Sequence, residues 1–368
     1  MKILFVLENY FPHIGGVETL FDNLARELSV KDHEVVVLTT LKNPQDKTFE
    51  KIGNVSIHRK QYGNRYLFTL MAFFSAYKLA KDCDLIHTTS YNAALPAWAS
   101  GKLRGKKVLI TFHEVWGDLW FKLPFMSKFG ARLHYLFEQM LIKLHFHKFI
   151  AVSNFTHDAL IANGVSPSKI KTIYNGIDYQ EFESILPDHT GKDFTFTFFG
   201  RLGMSKGIEI YLSAINLMAK QKSNVKYQLI IPTQPKPFLD KIIELIEELD
   251  IRDKITIEHN LLFTELLKKI KNSNAIVIPS YSEGFCFAAV ETMALDTPII
   301  SSGKGALAEV ISGKHLTMET FDALGLKDCM KLAIAGEWQK LPSRRFELAD
   351  TVNNYISLYQ DTLLHGKK

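Results

Sequence analysis

Cysteine is scarce in this chain of 368 residues: Cys83, Cys286 and Cys329 stand far apart, with no C-x-x-C spacing. That excludes a disulfide framework and a cysteine zinc site, and it fits a reducing, cytoplasmic setting. Long apolar runs are missing too. Residues 3–7 are apolar but Glu8 interrupts them, too soon for a secretory h-region. Residues 66–77 contain Thr69 and Ser75 and fall short of the roughly 20 apolar residues that a bilayer-spanning helix needs, so no transmembrane helix is expected. Neither sign of charge dominates, with 44 Lys and Arg against 39 Asp and Glu, which removes the case for nucleic acid as a partner. There is no short repeat and no low-complexity tract.

What is present is apolar content of 46%, enough for substantial cores, and a length that divides most naturally into two domains. Short β-branched runs at 3–7, 34–38, 85–87, 108–112, 149–152 and 171–174 alternate with helix-like stretches; residues 17–29 carry Leu20, Phe21, Leu24 and Leu28 at helical spacing. This alternation predicts a largely parallel sheet covered on both faces. A polar stretch with Pro187 and Gly191 marks a boundary, and the pattern then repeats with strands near 194–199, 227–231, 255–257, 275–278 and 298–301. The prediction is an α/β protein of two Rossmann-like, doubly wound domains, 1–182 and 193–345, facing each other across a cleft. A terminal helix at about 346–368 is expected to pack back on the first.

Open parallel sheets bind ligands beyond the carboxyl ends of their strands, so residues just after strands carry the most functional weight. The segment from Pro279 to Glu291 follows one strand and leads into a helix, placing Glu283 on a loop and Glu291 about two turns into the helix. A helix N-terminus offers backbone N–H groups and a partial positive charge to a phosphate. Carboxylates accept hydrogen bonds from neighbouring sugar hydroxyls. A Glu pair at this spacing is, taken alone, equally an exposed helix residue and a cap.

The context narrows that choice. The segment resembles the E-x7-E signature of the retaining glycosyltransferases of family four, which have the two-domain GT-B fold. Gly15-Gly16-Val17-Glu18 resembles the family's glycine loop, and Gly200-Arg201-Leu202 with Lys206-Gly207 its basic donor motif. Asn175-Gly176-Ile177-Asp178 with Phe182, Ala308-Glu309-Val310-Ile311 and the run from Tyr355 to Tyr359 match further blocks in order. The resemblance implies transfer of a hexose-type sugar from a nucleoside-diphosphate sugar to a glycan, lipid-linked or small-molecule hydroxyl. It implies no metal and no other cofactor. Arg201 and Lys206 would stabilise the departing diphosphate, Glu283 would hold the sugar, and His113, just after strand 108–112, would stabilise the reacting centre. Gly16, Gly284, Phe285 and Glu291 would bind the donor, Glu291 at the ribose. Glu18 is expected on the surface, as a neutral comparison for Glu283. Rival readings are a GT-B-fold epimerase or phosphorylase and a non-catalytic sugar-binding protein.

Asp82-Cys83-Asp84 has a D-x-D spacing but precedes a strand, which makes it a turn at the wrong end for a metal site. Gly303-Lys304-Gly305 lacks the spacing of a phosphate-binding NTPase loop. Pro232-Thr233-Gln234-Pro235 and Cys286 depart from the glycines common at those places in the family. Between 121 and 149, basic residues alternate with Phe125, Phe129, Leu133, Leu136 and Met140. That pattern suits both a helix packed on its own sheet and one resting on an anionic membrane, at its cytoplasmic face.

Overall fold

The computed structural model describes residues 1–13, 15–123, 126–186, 193–219 and 224–364. The expected boundary residues Pro187 and Gly191, and Phe125 of the basic stretch, lie outside the described residues. The chain forms two units, the first from Met1–Lys122, Met126–Gly176 and Glu347–Lys368, the second mainly from Ile177–Phe346.

The first unit opens with β1 (Lys2–Val6), α1 (Gly16–Val30), β2 (Glu34–Thr40), β3 (Phe49–Ile52), β4 (Val55–Lys60), α2 (Arg65–Leu79), β5 (Leu85–Thr89) and α3 (Ala94–Arg104). It continues through β6 (Lys107–Phe112), α4 (Lys128–Lys143), β7 (Lys148–Ala151), α5 (Asn154–Ala162) and β8 (Ile170–Thr172). The strand order is β3-β4-β2-β1-β5-β6-β7-β8, parallel except for the β3–β4 pair. β1 therefore lies mid-sheet: the chain lays strands outward on one side of it, then returns to place β5 on the other. Helix α1 forms because Leu20, Phe21, Leu24, Ala25 and Leu28 make one apolar stripe, and all are buried.

The second unit contains α6 (Gln180–Glu183), β9 (Phe194–Phe199), α7 (Ile208–Ala219), β10 (Val225–Ile230), α8 (Lys236–Glu248), β11 (Ile255–Glu258), α9 (Phe263–Lys271) and β12 (Ala275–Ile278). After these come α10 (Phe287–Ala294), β13 (Ile299–Ser301), α11 (Leu307–Val310), β14 (Gly313–Thr317), α12 (Ala323–Ala335) and β15 (Gln339–Leu341). Its order is β11-β10-β9-β12-β13-β14-β15, with only β15 antiparallel. The central β12 is apolar throughout and buried throughout, as a strand covered on both faces must be. The direction of winding reverses between β9 and β12, so a crevice opens beyond their carboxyl ends.

Helix α13 (Leu348–Leu364) belongs to the first unit. Its Tyr359 hydroxyl lies 2.7 Å from Nδ1 of His87, whose Nε2 lies 2.8 Å from Thr111 Oγ1, and Thr111 also meets the Tyr355 hydroxyl at 3.2 Å. Burial, and then the neighbouring His113, push the His87 pKa down to about 3, so this buried network is built on a neutral imidazole. The four strands missing from the sequence reading are β3, β4, β14 and β15. β3 and β15 are edge strands with exposed, charged residues, and β4 alternates Ser56, His58 and Lys60 with the buried Val55, Ile57 and Arg59.

Candidate active site

Three adjacent strands of the second unit end at one place. The loop 200–207 follows β9, the loop 279–286 follows β12, and the turn 302–306 follows β13. Backbone and side-chain contacts bind them into one body. The Tyr281 N–H donates to the Ser205 carbonyl at 2.8 Å, the Ser302 hydroxyl to the Ser280 carbonyl at 2.6 Å, and the Ala306 N–H to the Glu283 carbonyl at 2.7 Å. Two glycines make this approach possible. A Cβ on Gly207 would stand 2.0 Å from the Pro279 carbonyl oxygen, and one on Gly305 would stand 2.4 Å from that of Glu283. Both also have positive φ, 67° and 66°.

The side chains converge on Glu283, which is only 6% exposed. Lys206 Nζ donates to both of its carboxylate oxygens, at 2.7 and 3.0 Å, and the Ser280 hydroxyl donates to Oε1 at 2.7 Å. A buried carboxylate requires this kind of satisfaction, since removing one partner leaves an uncompensated charge. Arg201 is exposed on the same loop as Lys206 and has no ion-pair partner among the described residues, leaving its guanidinium available to an anion.

Helix α10 begins at Cys286, whose φ of 79° is unusual for a residue with a side chain. This explains why a glycine is common there in the family resemblance. Burial, and then the Glu283 charge, push the Cys286 thiol well above its usual range, so it is a packed apolar group and no nucleophile. Glu291 lies in the second turn of α10, nearer the helix start than its spacing suggested. Desolvation, and then the carboxylate of Glu181 on α6, raise its pKa to about 7. The Phe285 ring packs edge-on against Phe287 and Phe346, and the residue is buried. Gly284 lies beside it on the loop.

In the first unit, Gly16 is the first residue of α1, so its N–H belongs to the turn that a helix cannot satisfy internally. His113 directly follows β6, half-buried at the carboxyl end of its sheet. The loop beyond it is held by Glu138 of α4, a fully buried carboxylate. Glu138 accepts hydrogen bonds from the Trp116 N–H at 2.8 Å, the Gly117 N–H at 2.7 Å and the Tyr91 hydroxyl at 2.7 Å.

Glu18, expected on the surface, is buried instead. It is 5% exposed, and its buried Oε2 has no hydrogen-bond partner among the described residues. The first turn of α1 folds the side chain inward beside the glycine loop, so Glu18 cannot serve as a neutral comparison. Ser280, Ser302, Gly305 and Glu138 have no role assigned from the sequence. The signal for Gly305 is a glycine-rich turn directly after a strand. For Glu138 there is none, because a lone Glu in a helix reads as solvated. Asp82-Cys83-Asp84 forms the turn before β5, with Asp84 accepting from the Lys2 N–H. Among the described residues no three His, Cys, Asp or Glu side chains cluster in a way that can hold a metal ion.

With this geometry in place, comparison with known proteins decides the family. The family model "Glycosyltransferase Family 4" matches residues 14–181, and "Glycosyl transferases group 1" matches 181–346. The chain belongs to glycosyltransferase family 4. Among its relatives, the glycosyltransferase is 26% identical over 315 residues to the GDP-mannose:cellobiosyl-diphosphopolyprenol alpha-mannosyltransferase of Xanthomonas oryzae pv. oryzae, covering 82% of this chain and 78% of that one. It is 25% identical over 345 residues to the alpha-monoglucosyldiacylglycerol synthase of Streptococcus pneumoniae, covering 85% and 74%. Its fold matches that of sucrose-phosphate synthase from Thermosynechococcus elongatus with a TM-score of 0.84 at 19% identity, over 99% of each chain. The glycosyltransferase thus has the GT-B fold.

Proposed function

We propose that this glycosyltransferase moves a hexose-type sugar from a nucleoside-diphosphate sugar to an acceptor hydroxyl, with retention at the anomeric carbon and without a metal. The observation that carries the reading is the Lys206–Glu283 pair at the switch point of the second sheet, beside the N-terminus of α10 and the exposed Arg201. Departure of a nucleoside diphosphate builds negative charge on the β-phosphate. Lys206, Arg201 and the helix N-terminus supply fixed positive charge to that group, the part a metal plays elsewhere. Glu283, held in one orientation by Ser280 and Lys206, accepts hydrogen bonds from the sugar hydroxyls. Glu291 accepts from the ribose, and the backbone of Gly284 and Phe285 lines the same approach. Gly16 and His113 act from the first unit, Gly16 through its N–H on the diphosphate and His113 at the reacting centre. The acceptor hydroxyl attacks from the face that the diphosphate leaves, which preserves configuration.

The acceptor in this reading is a glycan or a lipid-linked saccharide met at the cytoplasmic face of a membrane. Support comes from the names of the two relatives, one acting on a diphosphopolyprenol and one making a glycolipid. Among the described residues no helix is long and apolar enough to cross a membrane. The test is to incubate the protein with a panel of nucleotide sugars and of glycan and lipid-linked acceptors in EDTA, follow nucleoside-diphosphate release, and read the anomeric configuration of the glycoside formed by NMR. Release in EDTA with a retained configuration is expected. Release that requires added Mg²⁺, or an inverted product, overturns the corresponding half of the proposal.

A further inference from the structure

Two helices of the first unit show solvent an apolar stripe that no part of the described chain covers. On α2, Tyr66, Leu70, Met71 and Phe74 are exposed, Leu70 at 66% and Phe74 at 69%. On α4, Phe129, Leu133, Leu136 and Met140 are exposed, Phe129 at 74%. The steps of three and four residues put each set on one helix face. A helix packed on its own sheet buries such a stripe; here α4 turns Ala131, Glu138, Leu141 and Ile142 inward instead. Both helices border the same short turn, Tyr91–Ala93: Thr69 of α2 bonds to Asn92 and Glu138 of α4 to Tyr91.

The charges on these helices have one sign. α2 contains no Asp or Glu, while Arg65 and Lys78 are exposed at its two ends. α4 carries exposed Lys128, Arg132 and Lys143, and its single acid, Glu138, is buried in the bonds that hold the loop after His113. Just upstream of α4, Lys122 is exposed as well, and the nearest exposed acid along the chain is Asp118. A protein partner would need to match a long apolar stripe with an acidic rim. An anionic bilayer supplies both at once, an apolar interior below a negative surface.

We infer that the α2–α4 face is a monotopic docking surface for an anionic lipid bilayer. Apolar side chains enter the acyl boundary, and Arg65, Lys78, Lys128, Arg132 and Lys143 lie against the headgroups. Docking would bring the carboxyl ends of β5 and β6, where His113 stands, toward the membrane surface. This rests on the reading of a lipid-linked acceptor, yet it can fail separately.

The experiment is vesicle flotation with phosphatidylcholine alone and with added phosphatidylglycerol, for the native chain and for two double variants, L70S/F74S on α2 and K128E/R132E on α4. Nucleoside-diphosphate binding and Tm are measured in parallel; every substituted side chain is exposed, so both should hold. The native chain should float with anionic vesicles, bind neutral ones far less and release in high salt. Each double variant should lose at least about ten-fold in vesicle affinity while nucleotide binding stays unchanged. Failure to float with anionic vesicles, or undiminished flotation of both variants, overturns docking. So does a stable dimer in solution that the same variants dissociate, since a second copy would then be the occupant. Transfer to a soluble acceptor that persists without flotation leaves the catalytic reading standing.

Discussion

Removing the Glu283 carboxylate takes away the partner of Lys206 and the proposed anchor of the sugar together. Glu283→Ala should lower kcat/KM by about 10²-fold or more, the scale found when one oriented electrostatic contact is lost. Glu247→Ala, an exposed α8 residue, should leave it unchanged; steady-state kinetics on both variants checks this, and equal losses contradict it. Glu291 adds a pH signature. Its folded pKa is raised to about 7, so between the ordinary carboxylate range and pH 7 the native state keeps a proton that the unfolded state has lost. Its contribution to stability is intact in acid, falls as pH rises through that window and levels off above it. If Glu291 accepts ribose hydroxyls as a carboxylate, nucleotide affinity should instead improve as pH passes 7. Glu291→Gln should flatten both trends, which calorimetry and thermal melts across pH 5–8 can read. At this scale the sequence placed Glu283, Lys206 and His113 after strands, and there they stand. It was misleading where the direction of a side chain decides the role. Glu18 and Glu138 are charged helix residues by pattern, and only the fold shows that both point inward.

Among the elements, the start of α10 is the most constrained. Cys286 holds φ at 79° with a side chain in place, a conformation that costs a non-glycine residue roughly 1–2 kcal/mol. Cys286→Gly should raise the Tm slightly or leave it unchanged, with activity kept. Gly207→Ala should do the reverse, because its Cβ would collide with the Pro279 carbonyl and prise the β9 and β12 loops apart; both Tm and nucleotide affinity should fall. In the first unit, Tyr359→Phe removes a buried hydrogen bond to His87, and the unpaired imidazole nitrogen should cost about 1–3 kcal/mol, visible in a denaturant titration. Most strands were legible because buried parallel strands are short apolar runs; Phe194–Phe199 and Ala275–Ile278 match their predicted limits. Edge strands were not, since β3 and β15 expose polar residues and owe their pairing to a neighbour rather than to their own pattern.

For the whole molecule, the repeated winding order explains why one pattern serves both units: each starts its sheet in the middle and reverses direction once, creating a crevice at a strand pair that the sequence order alone does not reveal. The sequence shows which residues follow strands. Only the sheet order shows that the strands before Lys206 and Glu283 are neighbours. The central claim is that this place holds the donor diphosphate. The measurement that tests it most directly is isothermal titration calorimetry of UDP, GDP and ADP in EDTA, on the native protein and on Lys206→Ala. The account predicts that at least one nucleotide binds the native protein without metal and that the substitution weakens it at least about ten-fold, the loss of roughly one charge-assisted contact. Binding that is unchanged in Lys206→Ala, or no binding of any nucleoside diphosphate, would contradict it.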